Sequence, residues 1–165
     1  MRTIQPKPLT AESFRRYGQF MNLLDDAALA AASVFPRSFF ADVIPLDFGH
    51  DLQPTVSVNS LKREDKAAVR FIEMHHHTCE GILPLDTDVV LFVGLPEMGK
   101  LSVKYIEAFI VPKGTFVRLD PLIIHGSVFC TEKIGHSLCL LAGRTFANDM
   151  EAKLLGEDEQ FELAL

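Results

Sequence analysis

From Phe39 onward the chain is a succession of short β-branched and aromatic runs, each bounded by Pro, Gly, Asp or Asn, with nothing of helical period between them. About eight such runs can be read: FFADVIPL, TVSVNSL, AVRFIEMH, EGILPL, DVVLFVG, KYIEAFIVP, TFVRL with IIHGSVF, and SLCLLAG. The sixth and seventh are joined by a tight PKGT turn. Parallel sheets need helical crossovers, so uninterrupted short strands point to an antiparallel barrel or jelly roll. Ahead of them, Thr10 can cap a helix over 11–17 that Gly18 stops, and the Ala-rich stretch 21–35 is a second helical candidate that Pro36 ends.

At 165 residues the chain fits one domain, because a chain of this size can bury a sufficient single core. The expected layout is a helical and strand extension over about 1–50, a barrel core over about 54–145 and an acidic tail over about 150–165. Several strands are apolar on both faces, VVLFVG throughout. One face can line the barrel, and the other must meet a helix, a second sheet or another subunit; the expectation is a homodimer.

A net charge of −6 with scattered Lys and Arg offers no attraction to phosphate backbones, which excludes nucleic acid as a partner. Apolar runs stay well below the roughly 20 residues that cross a bilayer. The N-terminus lacks the apolar core of a signal peptide, so a cytoplasmic location is expected. Cys79, Cys130 and Cys139 form an odd set without C-x-x-C spacing, which reads as reduced thiols.

Chemistry-bearing residues concentrate around AVRFIEMH. Glu73 and His75 are two apart, so the pleat points both to one face. Glu80 follows the short HHTC connection, after which the chain can turn back toward them, and His125 sits beyond Asp120-Pro121 where a barrel can bring it close. Two imidazoles and two carboxylates suit a divalent ion such as Ni, Zn, Mn, Fe or Co, which polarises an oxygen or acidifies a water. His77 would rejoin the same face if the strand continued, making it an alternative ligand. The competing reading is a polar turn, with His75, His76 and His77 ending a strand beside solvated carboxylates. Candidate catalytic carboxylates are Glu80 and Asp120, the latter as a general base near His125. Arg118 shares a face with Asp120 and is either a substrate-carboxylate ligand or one half of a surface ion pair. Glu107, in the apolar KYIEAFIVP run, reads as an edge charge, and His50 and His136 read as solvated loop residues.

The stretch Glu73-Met74-His75 through Glu80-Gly81-Ile82-Leu83-Pro84 resembles the E-x-H-x-x-x-x-Q-x-F-x-P segment of bacterial ureidoglycolate lyases. Ala108-Phe109-Ile110, Gly114, Val117 and His125 with Phe129 fall in register with that family's second half, and Leu9-Thr10, Glu12, Phe14 and Tyr17-Gly18 with its opening. The resemblance implies a cupin-type double-stranded β-helix, in which Glu73 takes the place of the first cupin His, His75 the second, Glu80 the Glu and His125 the last His. It also implies a dimer, a divalent metal such as nickel or zinc, and cleavage of ureidoglycolate to glyoxylate and urea. The chain departs from the lyase pattern at Ser60, where an Arg is expected, at Glu80 in place of Gln, and at Asp120 and Gly126 in place of His. A site without that Arg loses bidentate carboxylate recognition. The same pocket would also serve a cupin sugar or sugar-acid isomerase or epimerase, or a non-catalytic ligand-binding cupin.

Overall fold

The computed structural model describes residues 1–35, 39–49 and 52–165, so Pro36 and His50 lie outside the described residues. The described residues are mainly β, with three short helices among them. Its elements in order are β1 (Arg2–Ile4), β2 (Lys7–Pro8), α1 (Ala11–Phe14), β3 (Gly18–Asn22), α2 (Asp26–Ala32), β4 (Pro54–Lys62), β5 (Ala67–Val69), β6 (Phe71–His75), β7 (Glu80–Pro84) and β8 (Val89–Gly94). There follow β9 (Ile106–Val111), β10 (Thr115–Leu119), β11 (Phe129–Cys130), β12 (Ile134–Ala142), α3 (Thr145–Asn148), β13 (Met150–Leu154) and β14 (Phe161–Leu163).

Two sheets carry the architecture. One runs β3-β10-β7-β12-β4. The other runs β2-β9-β8-β11, and residues 124–125 at the head of the β11 segment bridge Gly94 of β8 on one side and Glu73 of β6 on the other. β6 in turn pairs with β13. Counting β4, β6, β7, β8, β9, β10, the 123–130 segment and β12 as strands one to eight, the sheets read 1-8-3-6 and 2-7-4-5, which is jelly-roll connectivity. Among the described residues, β4 and β3 remain sheet edges, so the sheets face one another without closing into a hydrogen-bonded cylinder.

The core explains why VVLFVG is apolar throughout. Val89, Leu91 and Val93 enter a cluster between the facing sheets with Ile82, Val117 and Leu119. Val90 and Phe92 enter a second cluster with Val69, Phe161 and Leu163, where the small sheet β1-β14-β5 covers the outer face. The second face therefore meets a sheet of the same chain.

Local structure departs from expectation in several places. Thr10 caps α1, its hydroxyl accepting from Ser13 N at 3.2 Å, but the helix ends at Phe14 rather than at 17. Gly18 instead opens β3, where φ is +147° and an added Cβ would lie 1.9 Å from the Arg118 carbonyl oxygen. The 21–35 stretch is helical only over Asp26–Ala32, capped by the Asp25 carboxylate accepting from Ala27 N and Ala28 N. FFADVIPL is not a strand: Asp42 holds φ +58° and Pro45 has no N–H to give a ladder. The segment crosses the outside of the first sheet, its Asp47 carbonyl accepting from Cys79 N and its Pro45 carbonyl from Arg118. The expected acidic tail contains β13 and β14, each paired into the sheets. The thiols of Cys79, Cys130 and Cys139 are free and buried.

Glu107 is no edge charge, because β9 is flanked by β8 and β2. Its carboxylate accepts from Lys7 Nζ at 2.7 Å, Arg16 at 2.6 Å and the Tyr17 hydroxyl at 2.5 Å. His136 lies within β12 rather than a loop and bonds Asp86 at 2.6 Å.

Candidate functional site

The site sits at one end of the sandwich and is assembled by register. In β6, Ile72 and Met74 enter the second core cluster, which leaves Glu73 and His75 on the opposite face. His125 is pinned beside them, since Glu73 N donates to His125 O and His125 N to Glu73 O, both at 2.8 Å. The 76–79 connection is held by Asp149, which accepts from the backbone N–H of His77 and Thr78 and from His77 Nδ1 at 2.6 Å. That anchor turns the chain so that Glu80 opens β7 facing the two imidazoles.

The Glu80 Oε2 atom lies 3.1 Å from His75 Nε2 and 2.9 Å from His125 Nε2. On the far side of the same carboxylate, the Cys139 thiol donates to Oε1 across 3.3 Å. His125 Nδ1 donates to the Ile123 carbonyl at 2.8 Å, which aims Nε2 at Glu80. Both rings are only 2% exposed, and His75 Nδ1 is buried without a partner among the described residues.

Electrostatics follow from this packing. Burial pushes the Glu80 carboxyl up, but the His125 charge and the hydrogen bonds from both imidazoles outweigh it and hold the group well below the usual carboxylate range. Burial pushes His125 down, and the Glu80 carboxylate reverses this and raises it. Glu73 is raised, chiefly by burial, and Cys139 is raised by burial and by the neighbouring Glu80.

Above the cluster is a cavity of about 170 Å³. Its polar wall is Ser57, Asn59, Glu73, Glu80, Ser127 and Cys139, with Ile82, Val128 and Phe146 supplying apolar surface. Gly126 also borders it, and an added Cβ there would meet Phe92 Cζ at 2.9 Å, so the space is already filled from the core side.

Of the candidates named from sequence, His75, Glu80 and His125 form one group, each offering a ligand atom within 4.8 Å of the others. Glu73 faces the same cavity but stands outside that group. The structure does not bring His77, Arg118 or Asp120 there. The His77 side chain is 82% exposed and tied to Asp149. Strand alternation sends Val117 and Leu119 inward, so Arg118 emerges on the outer face, paired with Asp120 and with the Pro45 carbonyl. Ser57, Asn59, Ser127, Cys139 and Phe146 were not singled out as site residues. The parity of Ser57 and Asn59 on β4 was a usable signal, whereas Cys139 reaches the site only through its pairing with Ile82 and Ser57.

The donor set tests well against a divalent ion. Two imidazole nitrogens and one carboxylate oxygen, buried and converging, match Zn, Ni, Mn or Fe(II) sites that leave positions open for substrate or water.

A search of curated proteins finds no match. Among solved structures, RmlC from Streptococcus suis in complex with dTDP-D-xylose aligns at 16% identity over 66% of this chain, with a TM-score of 0.34. The chain spans about half of that relative, 49% of its length. The family model described as ureidoglycolate lyase matches residues 1–161, a span that takes in the whole jelly roll and β13 beyond it. A match of that extent places the chain in a family, and the chain belongs to the ureidoglycolate lyase family.

Proposed function

We propose that this protein is a metal-assisted lyase that cleaves the C–N bond of a small polar ureido metabolite, releasing urea and a carbonyl product. The observation that carries the reading is the convergence of His75 Nε2 and His125 Nε2 on one oxygen of Glu80 at the floor of the cavity. Membership of the ureidoglycolate lyase family supports the reaction class.

In this reading His75, His125 and Glu80 hold a divalent ion, whose Lewis acidity polarises a substrate oxygen when it is bound. The remaining work falls to the chain. Cys139 S–H donates to Glu80 Oε1 and so presents Oε2 to the imidazoles. Glu73, with a carboxyl raised by burial, takes the proton of the substrate hydroxyl as the C–N bond breaks and returns it to the departing nitrogen. Ser57, Asn59 and Ser127 orient the substrate, and Phe146 limits the entry of water. Asp120 and Arg118 take no part in this scheme, being engaged with one another outside the cavity.

A homodimer belongs to the same reading. It is supported by β4, a nine-residue edge strand whose Val56 and Val58 are 65% and 58% exposed. Among the described residues, no helix is long and apolar enough to cross a membrane.

The test is urea release from a panel of α-hydroxy ureido compounds by the metal-loaded protein. Turnover is expected to fall by about 10²-fold or more in Glu73→Gln, the range for loss of a general base. No release from any member, or equal release by the variant, contradicts the proposal.

A further inference from the structure

The three metal-ligand candidates come from two sheets, and one connection decides how those sheets present them. His75 and His125 are fixed on one side: Glu73 and His125 exchange backbone bonds at 2.8 Å, and Leu122 N donates to His75 O at 2.7 Å. Glu80 belongs to the opposite sheet, where β7 lies between β10 and β12, and β6 and β7 share no ladder among the described residues. Residues 76–79 join His75 to Glu80 and take no regular structure. All of their backbone N–H groups are nevertheless engaged. His76 N donates to the Asp149 carbonyl at 3.3 Å, and Cys79 N donates to the Asp47 carbonyl at 2.9 Å. His77 N and Thr78 N each donate to the Asp149 carboxylate at 3.0 Å, and His77 Nδ1 donates to it at 2.6 Å. Asp149 is itself held from both sides. Its N–H closes α3 on the Thr145 carbonyl at 2.9 Å, and Met150 after it opens β13 opposite His75. The Asp149 side chain is only 12% exposed, yet it belongs neither to the group of converging ligand atoms nor to the cavity wall.

We infer that Asp149 is a positioning residue for the metal site: through the 76–79 connection it sets the place of Glu80 against His75 and His125, without touching the ion or the substrate. The inference rests on the reading of His75, Glu80 and His125 as metal ligands and adds a residue to that reading. A carboxylate only accepts, so its two oxygens take two backbone N–H groups and a ring N–H together, whereas an amide in its place turns a donor toward one of them. Without these bonds the connection keeps only the Asp149 and Asp47 carbonyls, and Glu80 loses its fixed approach to the two imidazoles. A site of three protein ligands depends on all three arriving in one geometry, and residues that orient ligands from behind are worth about 10- to 100-fold in metal affinity.

The test is zinc affinity, measured by competition with a chromophoric chelator, together with the visible absorption of the cobalt(II)-loaded protein. Both are read on the full-length wild type and on Asp149→Ala, Asp149→Asn and Glu107→Gln. Asp149→Ala is expected to bind zinc about 10- to 100-fold more weakly and to show altered cobalt bands, because the ligand geometry changes. Asp149→Asn, which keeps one accepting oxygen, is expected to fall between it and the wild type. Glu107→Gln, remote from the site, is expected to keep the wild-type zinc affinity and cobalt spectrum despite its lower stability. Zinc affinity in Asp149→Ala equal to that of the wild type overturns the inference and leaves the metal-site reading intact. An equal loss in Glu107→Gln also overturns it, by assigning the effect to stability alone. Should Asp149→Ala fail to fold, Asp149→Asn decides, and wild-type affinity and spectrum in that variant overturn the inference. A wild type that binds no zinc removes the metal-site reading and the inference with it.

Discussion

At the scale of single residues, one carboxylate tied by three donors lies away from the site. Glu107 gathers Lys7, Arg16 and Tyr17, linking β9 to β2 and to the turn after α1. Burial alone would raise its carboxyl, but the three donors bring it down to about 2 from an ordinary value of 4.5. A folded value below the unfolded one contributes stability above the unfolded pKa, and that contribution is lost as pH falls toward the folded one. Glu107→Gln is therefore expected to lose about 1–2 kcal/mol at neutral pH, with some of the ionic part screened by solvent. The gap from wild type should narrow as urea titrations are repeated from pH 4.5 down to 2, between the two values. A gap independent of pH would assign the loss to packing. The sequence marked Glu107 as unusual, an acidic residue in an apolar run, but gave no sign of its partners, which lie about ninety to a hundred positions away.

Strands were legible wherever one face is apolar and the other is covered, as in β8 and β9, because β-branched runs between turn residues leave few alternatives. β13 and β14 were not legible: MEAKL and FEL are short and interrupted by charge, and only their pairing with β6 and β5 makes them strands. FFADVIPL erred in the other direction, since apolar content there serves an irregular crossing rather than a ladder. In the site, the same-face placement of Glu73 and His75 followed from period two, and that period also gives the outward direction of Arg118, which alternates with inward Val117 and Leu119. Cys139 depended on the register of β12 against β4 and β7, which no local pattern encodes. Of the glycines, Gly18 is the one whose added Cβ would come closest to another element, 1.9 Å from the Arg118 carbonyl of β10. Gly18→Ala is expected to lower the thermal midpoint by several degrees, about 2 kcal/mol or more, because β3 must move off the carbonyl and the residue must hold positive φ. An unchanged midpoint in calorimetry would contradict the register of β3 on β10.

For the whole molecule, the two core clusters share the β8–β9 sheet, one on each face, and we read the chain as one domain on that ground. The sequence argument for a dimer rested on strands apolar on both faces, and β1-β14-β5 now accounts for the second face of β8. What favours a dimer instead is the outer surface of β4 and β12, where Val56 and Val58 stand opposite Leu140 and Leu138. Light scattering after size exclusion is expected to give twice the 18.4 kDa chain mass. Val58→Lys is expected to give the monomer with its fold retained, since a charge is disfavoured at the centre of an interface. A wild-type monomer at micromolar concentration would remove the dimer and leave the fold and the metal cluster standing.

Those three ligands carry the central claim, and metal stoichiometry tests it most directly. Elemental analysis of the purified protein after equilibration with zinc and removal of free ion should give about one ion per chain, with loss in both His75→Ala and His125→Ala, because three protein ligands are the usual minimum for such a site. Retention of the metal by both variants, or a wild type that takes up none, would contradict the account.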